Sequence, residues 1–521
     1  MKNRGRELFA GALTLTVAGF LVKVIGLIYK IPLTNILGDS GMGYFTSAYT
    51  VYTVFYTVLA SGLPIALSLI ISEARALGSA RLEYLAFRRS MALFTLLGAA
   101  ASLIMVLLAG PFAYLIGNSG AALSVAFIAP TLFFVSGVGV MRGYFQGRGD
   151  MIPTSVSQII EAAGKLLIGL LLLLLARRLG LSLKLSSAFA ILGISLSTAA
   201  AFFYLFIKKG RVRELSFIEE KSGDKDTVDI SFKRILSVSM PITLSALAMS
   251  LSGVIDLLSV TRLLGANGIS EDGANALFGN YSSLALPVFN MPSVLITPIV
   301  YSFSPLIREC ALVGDRENTV KNINKALESA IFISLVISFG MAAFPREILS
   351  LIFSGAESVK TAAPALRILA ISVVFLALFS VTSGIHQALG RSRIPIISVC
   401  IGSIIKVILS VTLIPRVGII GAAIGTAVCY FTAAVISSLT LAHTVSYALP
   451  IKAVLKPLSA SGISIIAAIS LHNKMSALDP RLATLVAIFV CAVIYFALYL
   501  VSELVYMKRK KHGDKNERKC I

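Results

Sequence analysis

The chain has 521 residues, 57% of them apolar and 14% charged, with a mean hydropathy of +0.88. At about 20 apolar residues per membrane crossing, this composition is enough for roughly fourteen spans and excludes a large water-soluble domain. The formal charge of +21 would point to nucleic acid in a soluble protein, but in a polytopic one Lys and Arg collect in cytoplasmic loops.

Apolar runs between polar breaks predict helices at about 8–31, 44–71, 90–116, 122–141, 155–176, 187–207, 235–262, 276–306, 326–344, 364–385, 396–414, 419–441, 453–471 and 482–506. The start, Met1-Lys2-Asn3-Arg4-Gly5-Arg6, resembles a signal peptide. Its apolar run is too long and lacks a small-residue cleavage site, so it reads as a retained first span. An even number of spans places both termini on one side, and the basic tail Lys508-Arg509-Lys510-Lys511 matches the basic N-terminus. With both termini cytoplasmic, and basic residues at span ends counted with the adjoining loop, inner segments carry 32 Lys or Arg and outer loops 10. That is the positive-inside bias, and no nucleic-acid partner is expected. Only Lys23, Lys30, Lys165 and Lys406 then lie within spans.

The expected fold is all-α and polytopic, with two pseudo-symmetric six-helix lobes around a central cavity and a C-terminal helix pair. The expected divisions are an N-lobe over 1–207, a cytoplasmic linker over 208–234 with Glu219-Glu220-Lys221 and Asp224-Lys225-Asp226, a C-lobe over 235–441, the last pair over 442–506, and a basic tail over 507–521. An internal repeat supports the two lobes. A shift of 241 residues aligns Gly143, Gln146, Gly149, Ser157, Ile160 and Lys165 with Gly384, Gln387, Gly390, Ser398, Ile401 and Lys406.

Polar groups within hydrocarbon must face protein or a wet cavity. In the first span Ala12, Thr16, Gly19, Lys23, Gly26 and Lys30 recur at helical spacing, and in the second Thr46, Thr50, Thr53, Thr57, Ser61 and Ser68 do so, with Tyr49, Tyr52 and Tyr56 on a neighbouring face. The second lobe begins in the same way, with Ser245, Ser252, Asp256 and Ser259 followed by Arg262, then Asn280, Ser283, Asn290 and Thr297. The first two helices of each lobe are therefore expected to line the cavity. The bland reading is that Ser, Thr and Gly mediate close helix packing, which leaves Lys23 unexplained. Lys30, expected near the interface, is open to snorkelling. Asp256 reads as a coupling group or counter-ion, or as half of a structural ion pair. Glu161 and Lys165, four residues apart, are expected to pair, and Pro64, Pro287, Pro292 and Pro298 to kink the helices that hold them.

The five cysteines and four histidines show no metal or disulfide spacing, and no cofactor is expected. No Walker A loop, HExxH or GxSxG motif accompanies a loop able to fold an enzyme. A polyisoprenoid-dependent glycosyltransferase remains the enzymatic rival, and it would carry a long outer loop with catalytic carboxylates. Here the loop from Gly265 to Asn275 is short, with only Glu271 and Asp272.

The segments Gly11–Leu15, Gly19–Gly26, Lys30-Ile31-Pro32 and Ile36–Gly43, then Ala60–Ala66 and Ser72-Glu73-Ala74-Arg75, resemble the opening of the stage V sporulation protein B family. These are polysaccharide-biosynthesis exporters in the superfamily of multidrug and toxic-compound extrusion transporters and lipid II flippases. The resemblance implies an alternating-access flippase of the bacterial cytoplasmic membrane, not an enzyme. Its substrate would be an undecaprenyl-pyrophosphate-linked saccharide, such as a peptidoglycan precursor or another envelope unit. Proton or sodium coupling, envelope synthases as partners and a role in sporulation belong to the same expectation. The family's cavity cations fall on Lys23 and Lys30. Lipid II flippases commonly bear Arg in that part of the first span, and Lys cannot make the bidentate phosphate contact of Arg. Candidate substrate-binding residues are Lys23, Lys30, Thr53, Thr57, Asp256, Arg262, Asn280 and Asn290. Cation-coupled drug export is the rival within the superfamily, and it would favour an acidic cavity.

Overall fold

A computed structural model describes residues 2–211, 232–353, 355–445, 451–475 and 479–517. Among them every regular element is a helix. Most of the expected linker, 212–231, and the end of the tail from 518 onward lie outside the described residues. Packing divides the chain into two compact units, Met1–Ser283 and Leu284–Ile521.

The first unit contains α1 (Lys2–Ala60), α2 (Leu63–Ala76), α3 (Ala80–Leu107), α4 (Ala109–Leu115), α5 (Ala122–Ile128), α6 (Pro130–Gly147), α7 (Ile152–Arg178), α8 (Leu183–Arg211), α9 (Phe232–Ala266) and α10 (Glu271–Asn280). It thus takes in the helices that the sequence places at the start of the second lobe. The first expected span and the start of the second, to Ala60, form one hydrogen-bonded helix with a kink at Gly38, whose φ of 64° is left-handed and open to glycine at little cost, and the rest of the second lies in α2. The first span therefore runs to Gly38 rather than ending near 31. Proline and glycine set most other breaks: Pro64 opens α2, Pro130 opens α6, and Gly149 at φ 82° closes the turn before α7. Helix α6 continues past the expected end at 141, which brings Arg142 inside it.

The second unit contains α11 (Leu286–Asn290), α12 (Ser293–Leu312), α13 (Arg316–Ala343), α14 (Pro345–Ile352), α15 (Ala356–Ala388), α16 (Arg393–Val417), α17 (Ile419–Val445), α18 (Ile451–Lys474) and α19 (Pro480–Glu517). The expected continuous span over 276–306 is broken. A π-helical turn at Tyr281–Ala285 follows α10, and a turn at Met291-Pro292 separates α11 from α12. Pro287 and Pro292 each lack the N–H that an unbroken helix would use there.

Twelve segments among the described residues are long and apolar enough to cross a membrane, and the first of them, Val17–Arg75, covers two expected spans. The seventh expected span lies in α9, which is not one of the twelve. A total of fourteen is thus not established by this count.

Repeat positions behave alike locally. Gly149 and Gly390 both take positive φ, at 82° and 75°. A Cβ on Gly143 would lie 2.7 Å from the Pro64 carbonyl, and one on Gly384 would overlap Val300, so each glycine lets α6 or α15 close on α2 or α12. Arg75 donates to the Arg148 carbonyl, and Arg308 to that of Ala388 at 3.1 Å, so a guanidinium covers the end of α6 and of α15 alike.

At the start of α13 the Asp315 carboxylate accepts from the Asn318 N–H at 3.0 Å and from its amide at 2.7 Å, which holds the acid below its usual 3.8. A lowered folded value contributes stability above pH 3.8 that is lost as the pH falls through the folded value. Exchange of the Asn318 amide, followed by hydrogen-exchange mass spectrometry, is expected to become relatively less protected only below that pH.

Candidate functional site

Helix α1 carries the cationic stripe. A Cβ built on Gly19 or Gly26 meets nothing within 4 Å, and Lys23 between them is exposed. The stripe therefore borders open space instead of a packed helix, and the packing reading does not hold for these two glycines. Lys30, one turn beyond Gly26 on the same face, is partly buried and lies within electrostatic range of Lys165. Lys165 sits midway along α7, which packs against α1. Beyond Lys30 the helix continues for roughly two turns before Gly38.

The expected Glu161–Lys165 pair does not form. Glu161 Oε2 takes Arg142 Nη2 at 3.0 Å, and Arg142 Nε also donates to Ser157 Oγ at 2.9 Å. Arg142 reaches Glu161 because α6 extends beyond the expected span. An aromatic ladder runs beside these charges. Successive ring centroids of Tyr29, Phe45, Tyr49, Tyr52 and Tyr56 lie 6.4, 6.4, 5.8 and 5.6 Å apart. Tyr52 and Tyr56 are within electrostatic range of Glu161 and Arg142.

The other expected site residues fall in three places. Thr53 and Thr57 each donate to the carbonyl one turn back, at 2.6 and 2.7 Å, and Thr57 Oγ1 also meets Ser250 Oγ of α9 at 2.6 Å. Asp256, further along α9, is 3% exposed. Asn280 donates to Asp39 Oδ2 at 3.1 Å, and Arg262 donates to the Tyr114 and Leu115 carbonyls, with its guanidinium 5.4 Å from the Tyr114 ring. Arg262 thus closes the C-terminal end of α4, where a cation also meets the helix dipole. Asn290 lies in the second unit, exposed, donating to its own Leu286 carbonyl at 2.9 Å.

A buried polar knot that the sequence did not reveal ties α1 to α10. Asn118 donates to Ser47 Oγ at 2.8 Å, Asn275 donates to Asn118 Oδ1 at 2.9 Å, and Tyr44 donates to Asp272 Oδ1 at 2.7 Å. Asn118 and Asn275 are fully buried. A Cβ on Gly43 would overlap the Asn275 carbonyl, and one on Gly279 would lie 2.7 Å from that of Asp39. Gly43→Ala is expected to cost about 1–3 kcal/mol through overpacking, whereas Gly26→Ala stays within about 0.5 kcal/mol. Thermal unfolding in detergent checks the contrast.

The polysaccharide biosynthesis protein family matches residues 8–311, and the MatE family matches 241–412. The chain belongs to the polysaccharide biosynthesis protein family. The lipid II flippase MurJ of Bacillus subtilis (strain 168) is 25% identical over 451 residues, 81% of this chain and 80% of that protein. Stage V sporulation protein B of the same organism is 25% identical over 461 residues, 86% and 85% of the two chains. Among solved structures, a lipid II flippase MurJ in an inward closed conformation covers 95% of this chain and 99% of its own, with a TM-score of 0.73 at 16% identity. An inward-facing multidrug-resistance MATE transporter of the MOP superfamily covers 81% and 98%, with a TM-score of 0.65 at 16% identity. The chain is a multi-pass membrane protein of this transporter and flippase superfamily, and its relatives are not enzymes.

Proposed function

We propose that the protein is a flippase that carries the diphosphate-saccharide head of an undecaprenyl-linked envelope precursor from the inner to the outer leaflet of the bacterial cytoplasmic membrane. The observation that carries this reading is the cationic stripe of α1, with Lys23 beside open space at Gly19 and Gly26 and Lys30 further along the same face. A diphosphate offsets the cost of holding ammonium groups at that depth, while an apolar prenyl tail stays in lipid at no comparable cost. Lys23 and Lys30 take the phosphates. Asp256 serves as their counter-ion, or as the group that binds a proton or sodium ion. Thr53, Thr57, Asn280 and Asn290 offer acceptors to sugar hydroxyls when their present hydrogen bonds exchange. Arg262 acts by holding α4 in place. With both termini cytoplasmic, the knot between α1 and α10 lies toward the outer surface and must open for release. The lobes of the repeat, 1–207 and 235–441, then rock around a central cavity, and envelope synthases receive the delivered precursor.

The MatE match over 241–412 favours a second reading, cation-coupled drug export. Depletion of the protein in its host, followed by mass spectrometry of lipid-linked intermediates, separates the two. The expected result is accumulation of one undecaprenyl diphosphate-linked saccharide on the inner leaflet. Normal precursor levels with altered drug susceptibility would replace the flippase reading by the second.

A further inference from the structure

We propose that Asp39, Asn280 and Ser283 form a site for one monovalent alkali-metal cation where α10 closes against α1. The two helices meet backbone to backbone there. A Cβ on Gly43 would overlap the Asn275 carbonyl, and one on Gly279 would lie 2.7 Å from the Asp39 carbonyl oxygen and 2.8 Å from the Gly43 nitrogen. Across this contact Asn280 Nδ2 donates to Asp39 Oδ2 at 3.1 Å. The oxygen of the same amide, Asn280 Oδ1, is buried without a hydrogen-bond partner among the described residues, and so is Ser283 Oγ, about one turn further along the chain. Asn280 is 3% exposed and Ser283 0%. Buried polar atoms are normally paired, so two orphaned oxygens this close to a carboxylate call for a ligand. A second observation marks the same place. The π-helical turn Tyr281–Ala285 begins directly after Asn280 and carries Ser283, and turns of that kind inside α-helices are frequent at functional sites.

The donor set selects the ion. A carboxylate, an amide oxygen and a hydroxyl are hard donors that match an alkali or alkaline-earth cation and not a soft metal, and the single negative charge of Asp39 balances a single positive one. Among the described residues no group of three or more His, Cys, Asp or Glu is placed to hold a metal, so the charge that a divalent ion needs is not assembled. Asp39 is only partly buried, which leaves the ion a route from water to the carboxylate. The site is divided between elements: the charge belongs to α1, and the neutral oxygens belong to α10 and the turn after it. Separation of α1 from α10 takes it apart, so the cation binds the closed arrangement alone and stabilises it by mass action. The proposal rests on the flippase reading only for the consequence. There the ion holds shut the knot that opens for release, and Asn280 becomes available to a sugar hydroxyl once the ion has left.

The test uses the full chain in lipid nanodiscs and radiolabelled sodium, with choline replacing sodium at constant ionic strength. Saturable binding by the parent is expected, weakened about tenfold in Ser283→Ala and at least about tenfold in Asn280→Leu. Ser282→Ala removes the neighbouring hydroxyl, which already donates to the Phe278 carbonyl at 2.7 Å, and is expected to bind as the parent does. Thermal unfolding gives a second readout. Sodium is expected to raise the midpoint of the parent and to leave that of Ser283→Ala nearly unmoved, whereas in choline Ser283→Ala is at least as stable as the parent, because an unsatisfied buried hydroxyl has gone. Radiolabelled rubidium tests potassium in the same way, and a Ser283-dependent site filled by potassium instead of sodium supports the same assignment. Saturable binding of neither ion by the parent overturns the proposal and leaves the orphaned oxygens to water. Undiminished binding by Ser283→Ala overturns it too, and that variant decides alone should Asn280→Leu fail to fold. Because binding is read without transport, a Ser283-dependent cation persists even if the flippase reading fails, and a flippase without one fails this inference alone.

Discussion

Replacing Glu161 by Gln is expected to lower stability by about 1–3 kcal/mol, less than for a fully buried ion pair because both side chains keep some contact with solvent. Its side chain is 22% exposed and that of Arg142 11%, so water replaces only part of the lost carboxylate. The effect goes beyond one contact. Arg142 would keep its Ser157 hydrogen bond but lose its counter-charge. Replacing both members, as Arg142→Met with Glu161→Met, is expected to recover most of the loss, because two apolar side chains remove the desolvation cost together with the attraction. Denaturation in mixed micelles, followed by circular dichroism, measures both variants. Equal stability of Glu161→Gln and the parent would show that the pair does not hold α6 to α7.

The legible parts of this protein were those that depend on hydropathy and local chain stiffness. Every expected span is built of helix, although those at 44–71, 90–116, 122–141 and 276–306 are each divided between successive helices, because an apolar run of that length within hydrocarbon must satisfy its backbone internally. Pro64 and Gly149 mark breaks where their backbone chemistry requires them, whereas the break at Pro130 falls inside the expected span 122–141. Helix ends inside the polar breaks were less legible. Nothing in Lys30-Ile31-Pro32 shows that α1 continues to Gly38, since a proline in a membrane helix is tolerated when neighbours satisfy the freed carbonyl. The error of partner assignment descends from such an end. A short α6 left Arg142 in a loop and gave Glu161 to Lys165. The Asn118–Asn275 knot was hidden for another reason. Asn118-Ser119-Gly120 has the composition of an exposed turn, and only the packing of α10 against α1 buries it.

Lys23→Ala is expected to reduce transport of the lipid-linked precursor by roughly 10- to 100-fold, corresponding to about 1.5–3 kcal/mol for a hydrogen bond to a charged group. Lys23 lies some fifteen residues before the break at Gly38, about 22 Å along the axis at 1.5 Å per residue. A charge near the centre of a span costs about 2.5–3.5 kcal/mol to insert, so removing it should leave the amount of folded protein unchanged or raised. A purely structural lysine predicts the opposite sign: less folded protein, with the remainder transporting normally. Lys23→Arg keeps the charge and adds a fork that fits phosphate oxygens, so transport is expected to persist. Reconstitution into liposomes with a labelled undecaprenyl diphosphate saccharide, normalised to inserted protein, reads both quantities at once. Undiminished transport by Lys23→Ala would remove the anion from Lys23.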